Sequence, residues 1–183
     1  SPWKVPTLRW PYFAMAQDTI AEPEPRWACD LFFAGTIGQD RVYAERTALL
    51  GRLQKAGVAL RIPTPADGNT LLQTPVIAAS AGAVLGFGRP GVTGWLDTRV
   101  TQYPGAGGIL LHDDVAGYLA PWEHYVPYRS GCADSVIEAL DKLKAMSPGD
   151  RQALRERAFS FVQEKHSSVA RVRQVLETLE MRA

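Results

Sequence analysis

The chain has 183 residues, 46% of them hydrophobic and 21% charged, with a formal net charge of +1. That length and composition suit one globular domain with a substantial core. The near-zero charge supplies no global field toward nucleic acid or an anionic membrane. No apolar run approaches the roughly 20 residues a spanning helix needs, and no signal-peptide pattern opens the chain, so a cytoplasmic setting is expected.

Residues Ser1 to Arg26 hold five of the 13 prolines, with Trp3, Trp10, Tyr12 and Phe13 between them. Proline at this density excludes a regular helix or central strand. Residues 1–27 are therefore expected to be a linker or docking segment, and residues 28–183 one domain.

Asp30 to Ala34 is a short apolar run ending in Gly35-Thr36, which suits a buried parallel strand and a tight turn. From Arg41 to Ala56 apolar residues recur at helical spacing, and Gly57 is a fitting stop. Val58 to Ile62 reads as a second strand. Thr70 to Ala81 reads as a helix that Pro75 must distort or shorten. The strand Ala83 to Phe87 leads into a Gly-rich loop, a polar helix start at Thr98-Arg99, the break Gly105-Ala106-Gly107-Gly108, and the strand Ile109 to Leu111.

Tyr125 to Tyr128 would be an edge strand, because Pro127 cannot donate a ladder hydrogen bond. Asp134 to Met146 and the residues after Ser147-Pro148 read as helices, with Ser147 or Asp150 as the cap between them. Strands alternating with helices predict an α/β fold, a Rossmann-like doubly wound parallel sheet with C-terminal helices. The turns after Ala34, Phe87 and Leu111 would then open together at the strands' carboxyl ends, where ligands of such sheets bind.

Several residues there could carry chemistry. A strand, a Gly-rich loop and a helix start can cradle a phosphate through free N–H groups, and Arg89 and Arg99 at the two ends of the loop suit a diphosphate. Surface arginines paired to acids are the bland alternative. Asp113 and Asp114 could bind a metal or act as a base, although adjacent loop carboxylates are more often solvated or capping. His112, His124 and His166 fit no zinc spacing, and Cys29 and Cys132 fit no metal spacing either. The cysteines are expected to be free thiols in a reducing compartment. No Gly-x-Ser-x-Gly elbow, Walker pattern or complete dinucleotide fingerprint is present, which argues against serine hydrolases, ATPases and dinucleotide oxidoreductases.

The pattern Asp30-x-x-Phe33-x-Gly35-Thr36 resembles the C-terminal half of GT-B-fold glycosyltransferases. The run Leu85-Gly86-Phe87-Gly88-Arg89, then Thr98-Arg99, Ala106-Gly107-Gly108 and Leu110-Leu111, is similar to their spore-maturation (CgeB-like) members. Pro121 to Tyr128 and the tail Glu164 to Arg171 agree with it. The resemblance covers about Ala28 to the C-terminus. It implies a domain that binds a nucleotide-sugar donor, usually a UDP-sugar, with an acceptor-binding half that would lie outside these residues. Residues 1–27 would then be the interdomain linker.

By position, Gly35 and Thr36 would form the turn nearest the diphosphate. Thr98 and Arg99 would start the helix facing it, and Gly107 would allow close backbone approach. The position that holds a ribose-binding Glu in the family is Gln102 here, and Trp122 stands where the family tends to have Gly. His124 is a possible donor contact. No cofactor and no obligatory metal are implied, and the catalytic residue is not identified. The other reading of the same residues is a non-catalytic nucleotide- or sugar-binding or protein-interaction module, for which Gln102 is the motivating residue.

Overall fold

The computed structural model describes residues 14–15, 18–38, 41–70, 72–88, 98–113, 115 and 117–180. Five parallel strands form one sheet: β1 (Cys29–Phe32), β2 (Leu60–Arg61), β3 (Ala81–Leu85), β4 (Leu110–His112) and β5 (Val126–Pro127). Their order is β2-β1-β3-β4-β5, with register pairs Leu31↔Leu60, Phe32↔Val84, Leu85↔Leu111 and His112↔Pro127. This is a Rossmann-like doubly wound sheet, and its order reverses direction between β1 and β3.

Side-chain alternation along the strands divides the core between two faces. Leu31, Phe33, Ala83, Leu85 and Leu111 point to one face, against α1 (Arg41–Lys55) and α4 (Ala133–Ala145). Leu49, Leu50 and Leu53 of α1 meet Val136, Leu140 and Leu143 of α4 there, all buried. Phe32 and Val84 point the other way, toward α2 (Thr74–Ser80) and Trp27, and Leu110 packs with Val100 of α3 (Arg99–Gln102). Helices on both faces explain why the strands read as continuous apolar runs.

Two long helices follow: α5 (Pro148–His166), which packs on the second face through Val162, and α6 (Ser168–Glu180), which packs against α5. Ser147 caps α5, its hydroxyl accepting from the Asp150 amide, and Pro148 takes the first turn. Leu154, Ala158, Val162 and His166 form its buried stripe at four-residue spacing. Arg155 crosses from the same helix to donate to the carbonyls of Ala78, Gly107 and Ala81, fastening α5 to the amino ends of the strands.

Pro75 shortens the helix expected from Thr70: it occupies the first turn of α2, where its missing N–H has no intrahelical acceptor to lose. The boundary with the next strand differs from the expectation. The helix then ends at Ser80, and Ala81 begins β3, two residues earlier than the sequence suggests.

Of the Pro-rich amino segment, Trp3, Trp10, Tyr12 and Phe13 lie outside the described residues. Ala14 bridges Ser167, with its amide donating to the His166 carbonyl, and Trp27 is buried against Phe32. This part of the segment is thus built into the domain.

Candidate functional site at the strand reversal

The crevice between the carboxyl ends of β1 and β3 is where a doubly wound sheet opens to a ligand. Its floor is a row of three aromatic rings: Phe33 meets Phe87 edge-on with centroids 5.4 Å apart, and Phe87 meets Tyr128 in the same way at 6.4 Å. Two guanidinium groups lie over that floor. Arg99 sits 5.5 Å from the Phe33 centroid, and Arg46 sits 5.7 Å from Phe33 and 5.1 Å from Phe87. Each ring contact contributes on the order of 0.5–1 kcal/mol, and together they pre-orient the cations.

Backbone bonds fix the same arginines. Arg99 Nε donates to the Ala34 carbonyl at 2.8 Å, spanning from α3 to the turn after β1. Arg46 Nη1 donates to the Thr36 carbonyl at 3.2 Å, and Thr47 holds Gly38 through both its amide and its carbonyl. Gly35 is required by space: a Cβ there would lie 2.5 Å from Phe33 Cζ and 2.6 Å from Arg99 Nη2.

A polar cluster forms the next wall. The Asp113 carboxylate accepts from the Gly88 amide at 2.6 Å and lies 3.1 Å from His112 Nδ1. Burial pushes its pKa upward, but hydrogen bonds from His112, Ser130 and the Gly88 amide outweigh burial and hold it at about 2. Asp113 is therefore ionised at neutral pH. The Tyr128 hydroxyl donates to the Gly86 carbonyl at 2.7 Å. A cleft of about 620 Å³ continues outward from Ser130 and Gly131 between α1 and the start of α4, with Glu45 and Arg52 on its α1 side.

The structure gathers some of the expected residues and separates others. Gly35, Thr36 and Arg99 share the crevice, and Gln102 follows Arg99 by three positions, on the same side of its short helix. Thr98 precedes that helix but its side chain makes no cap bond, and one turn of helix carries little dipole. The guanidinium groups are therefore the stronger anion-attracting element. Arg89 and Asp114 lie outside the described residues.

Gly107 and His124 are not brought to the crevice. Gly107, at φ +81°, precedes β4 at the opposite edge, with Ile20 over its α-carbon and Arg155 on its carbonyl. His124 precedes β5 at that same edge, stacked on Phe161 at 4.1 Å, with Nδ1 accepting from the Ala120 amide. Both belong to packing there. The reason is topological: a residue before its strand faces the amino edge, and only a residue after it reaches the carboxyl edge.

Arg46 is the residue the sequence reading missed. It occupies a polar position of a helix read only for its apolar stripe, and its signal was the placement one turn into the helix that follows the β1 turn. Trp122, by contrast, has a physical reading. It adopts φ 59°, a left-handed conformation that glycine takes freely, and Lys142 Nζ lies 4.0 Å over its ring. Both cysteines are half-buried free thiols, and burial raises the Cys29 pKa.

Residues 67–177, more than half of the chain, match the family described as glycosyl transferase-like. The chain belongs to the glycosyl transferase-like family. No curated protein matches it. The matched span of this glycosyltransferase-like domain runs from within the connection between β2 and α2 into α6, so it contains β3, β4, the Asp113 cluster, Arg99 and Gln102. No helix among the described residues is long and apolar enough to cross a membrane.

Proposed function

We propose that this domain binds the nucleotide-sugar donor of a GT-B-type glycosyltransferase, with a UDP-sugar as the first candidate, and that its nearest kind within the family is CgeB-like. The observation that carries the reading is the pair of guanidinium groups, Arg99 and Arg46, over the aromatic floor at the β1/β3 reversal. A diphosphate placed there meets two fixed cations and the turn at Gly35-Thr36, while the aromatic floor excludes water from one side.

In this reading, transfer is a displacement at the anomeric carbon. The C–O bond to the diphosphate breaks as the acceptor hydroxyl oxygen attacks, its proton passing to a base in the acceptor half, and negative charge grows on the departing phosphate oxygens. Arg99 and Arg46 stabilise that charge more than the ground-state ester, which lowers the barrier without an obligatory metal. Arg89, the residue that follows Gly88 in sequence, would add to them. Gln102 would face the ribose, giving and accepting one hydrogen bond each where a carboxylate would accept two charge-assisted ones. The acceptor and its half of the site lie outside these residues in this reading, and the setting is cytoplasmic.

Calorimetric titration with UDP, GDP and a panel of nucleotide sugars tests it. Saturable binding of a nucleoside diphosphate is expected, and no heat with any of them would sink the reading. Gln102 supports a second reading, a module that binds the donor without transferring. It predicts binding with no transfer even in the presence of the acceptor half.

A further inference from the structure

The turn after β3, Gly86-Phe87-Gly88, is held from three directions. Tyr128, just after β5, donates to the Gly86 carbonyl at 2.7 Å. Phe33, after β1, packs against the Phe87 ring. Asp113, directly after β4, takes the Gly88 amide at 2.6 Å, its side chain only 8% exposed. Space is fitted to that last contact, since a Cβ at Gly88 would stand 3.1 Å from Asp113 Oδ1. On the other side of the turn, a Cβ at Gly86 would stand 2.3 Å from the His112 ring.

We infer that Asp113 is a positioning residue, whose carboxylate, steadied by His112 and Ser130, sets the turn after β3 in the geometry that receives the donor. The inference rests on the donor-binding reading above. Asp113 bears negative charge and shares the rim of the crevice with Arg46, Phe87 and Gly88. A second anion would be repelled by it, so it does not bind phosphate itself. Its oxygens are directed into the protein, toward a backbone amide, an imidazole and a hydroxyl. Fixing Gly88 fixes where the chain leaves β3 on its way to Thr98 and Arg99. A carboxylate–amide bond is charge-assisted and stronger than a neutral one, so it suits a tether better than a neutral acceptor would. His112 is completely buried beneath it, which keeps water from competing for the carboxylate.

The test measures the turn and the donor site separately, in the wild-type chain, Asp113→Ala and Asp113→Asn. Amide hydrogen exchange at Gly88 reports the tether, the amides of Val84 and Leu31, which donate to Ile109 and Ala59, report the intact sheet, and UDP titration reports the site. Loss of a bond to a charged group is expected to speed Gly88 exchange roughly tenfold to a hundredfold and weaken UDP by about tenfold in Asp113→Ala. Val84 and Leu31 should stay protected.

Asp113→Asn keeps the shape and an acceptor oxygen and should give intermediate values, which also covers the case of an alanine variant that fails to fold. Unchanged Gly88 exchange overturns the tether. Released Gly88 with unchanged UDP affinity overturns the positioning role. A wild-type chain that takes up no nucleoside diphosphate overturns the donor reading itself, and that outcome is read in a different arm.

Discussion

At the scale of single residues, the crevice depends on contacts that are specific in chemistry as well as charge. Arg99 combines a hydrogen bond to Ala34 with stacking on Phe33, a combination available to a planar guanidinium and not to an ammonium. Arg99→Ala is expected to weaken UDP binding by about tenfold or more, and Arg99→Lys should recover little of it. Calorimetry on the two variants checks this, and full affinity in Arg99→Ala would remove the residue from the site. Gln102 makes the opposite prediction. No side-chain hydrogen bond to it occurs among the described residues, so the carboxylate that the resemblance implies at this position breaks no such bond, and in the donor-binding reading it would add a charge-assisted ribose contact. Gln102→Glu should tighten UDP by a few-fold to about tenfold, and an unchanged Kd would place the ribose elsewhere.

At the scale of elements, the joint between α5 and the sheet is the contact whose loss should be felt most. Arg155 serves three carbonyls at 2.8–2.9 Å, those of Ala78, Gly107 and Ala81, and all belong to residues that are buried. Arg155→Met keeps the aliphatic stem but leaves these acceptors without their donor. A cost of about 3 kcal/mol is expected, visible as a lower denaturant midpoint with an unchanged slope. The element plan itself was legible: apolar runs, Gly57 at φ +82° after α1, the Ser147 cap, and Pro127 on the edge strand each had a local physical cause. What was not legible was which edge of the sheet a motif would face. Gly107 looked suited to a ligand by its neighbours in sequence, yet its place before β4 sends it to Arg155 and Ile20. Arg46 was hidden for the complementary reason, because the position of its guanidinium is set by Phe33 and Phe87, 13 and 41 residues away along the chain.

At the scale of the whole molecule, buried histidines couple the attachment of α6 to pH. His166 stacks on Tyr118 at 4.1 Å, and Arg171 of α6 donates to its Nδ1 at 2.6 Å and also to the Tyr118 hydroxyl. A guanidinium can only donate, so Nδ1 must be the bare nitrogen, and protonating it would set an N–H against a cation. Burial, then Arg171, then His124 and Lys165 hold the His166 pKa at about 4, below the ordinary 6.5. The unfolded chain therefore takes up the proton first, and stability is lost as pH falls from about 6.5 through about 4. His124 is lowered too, by burial first, and adds in the same direction. Asp113 acts in a lower window: its native pKa of about 2, against 3.8 ordinarily, contributes stability that disappears only between those values. Thermal melting against pH should thus show two descents, one starting near 6.5 and one below about 4. His166→Phe keeps a ring against Tyr118 and removes the larger titration, so it should make the upper descent shallower, leaving the part that His124 contributes, and leave the lower one in place. A variant that melts with the wild-type profile above pH 4 would show that His166 does not carry the effect.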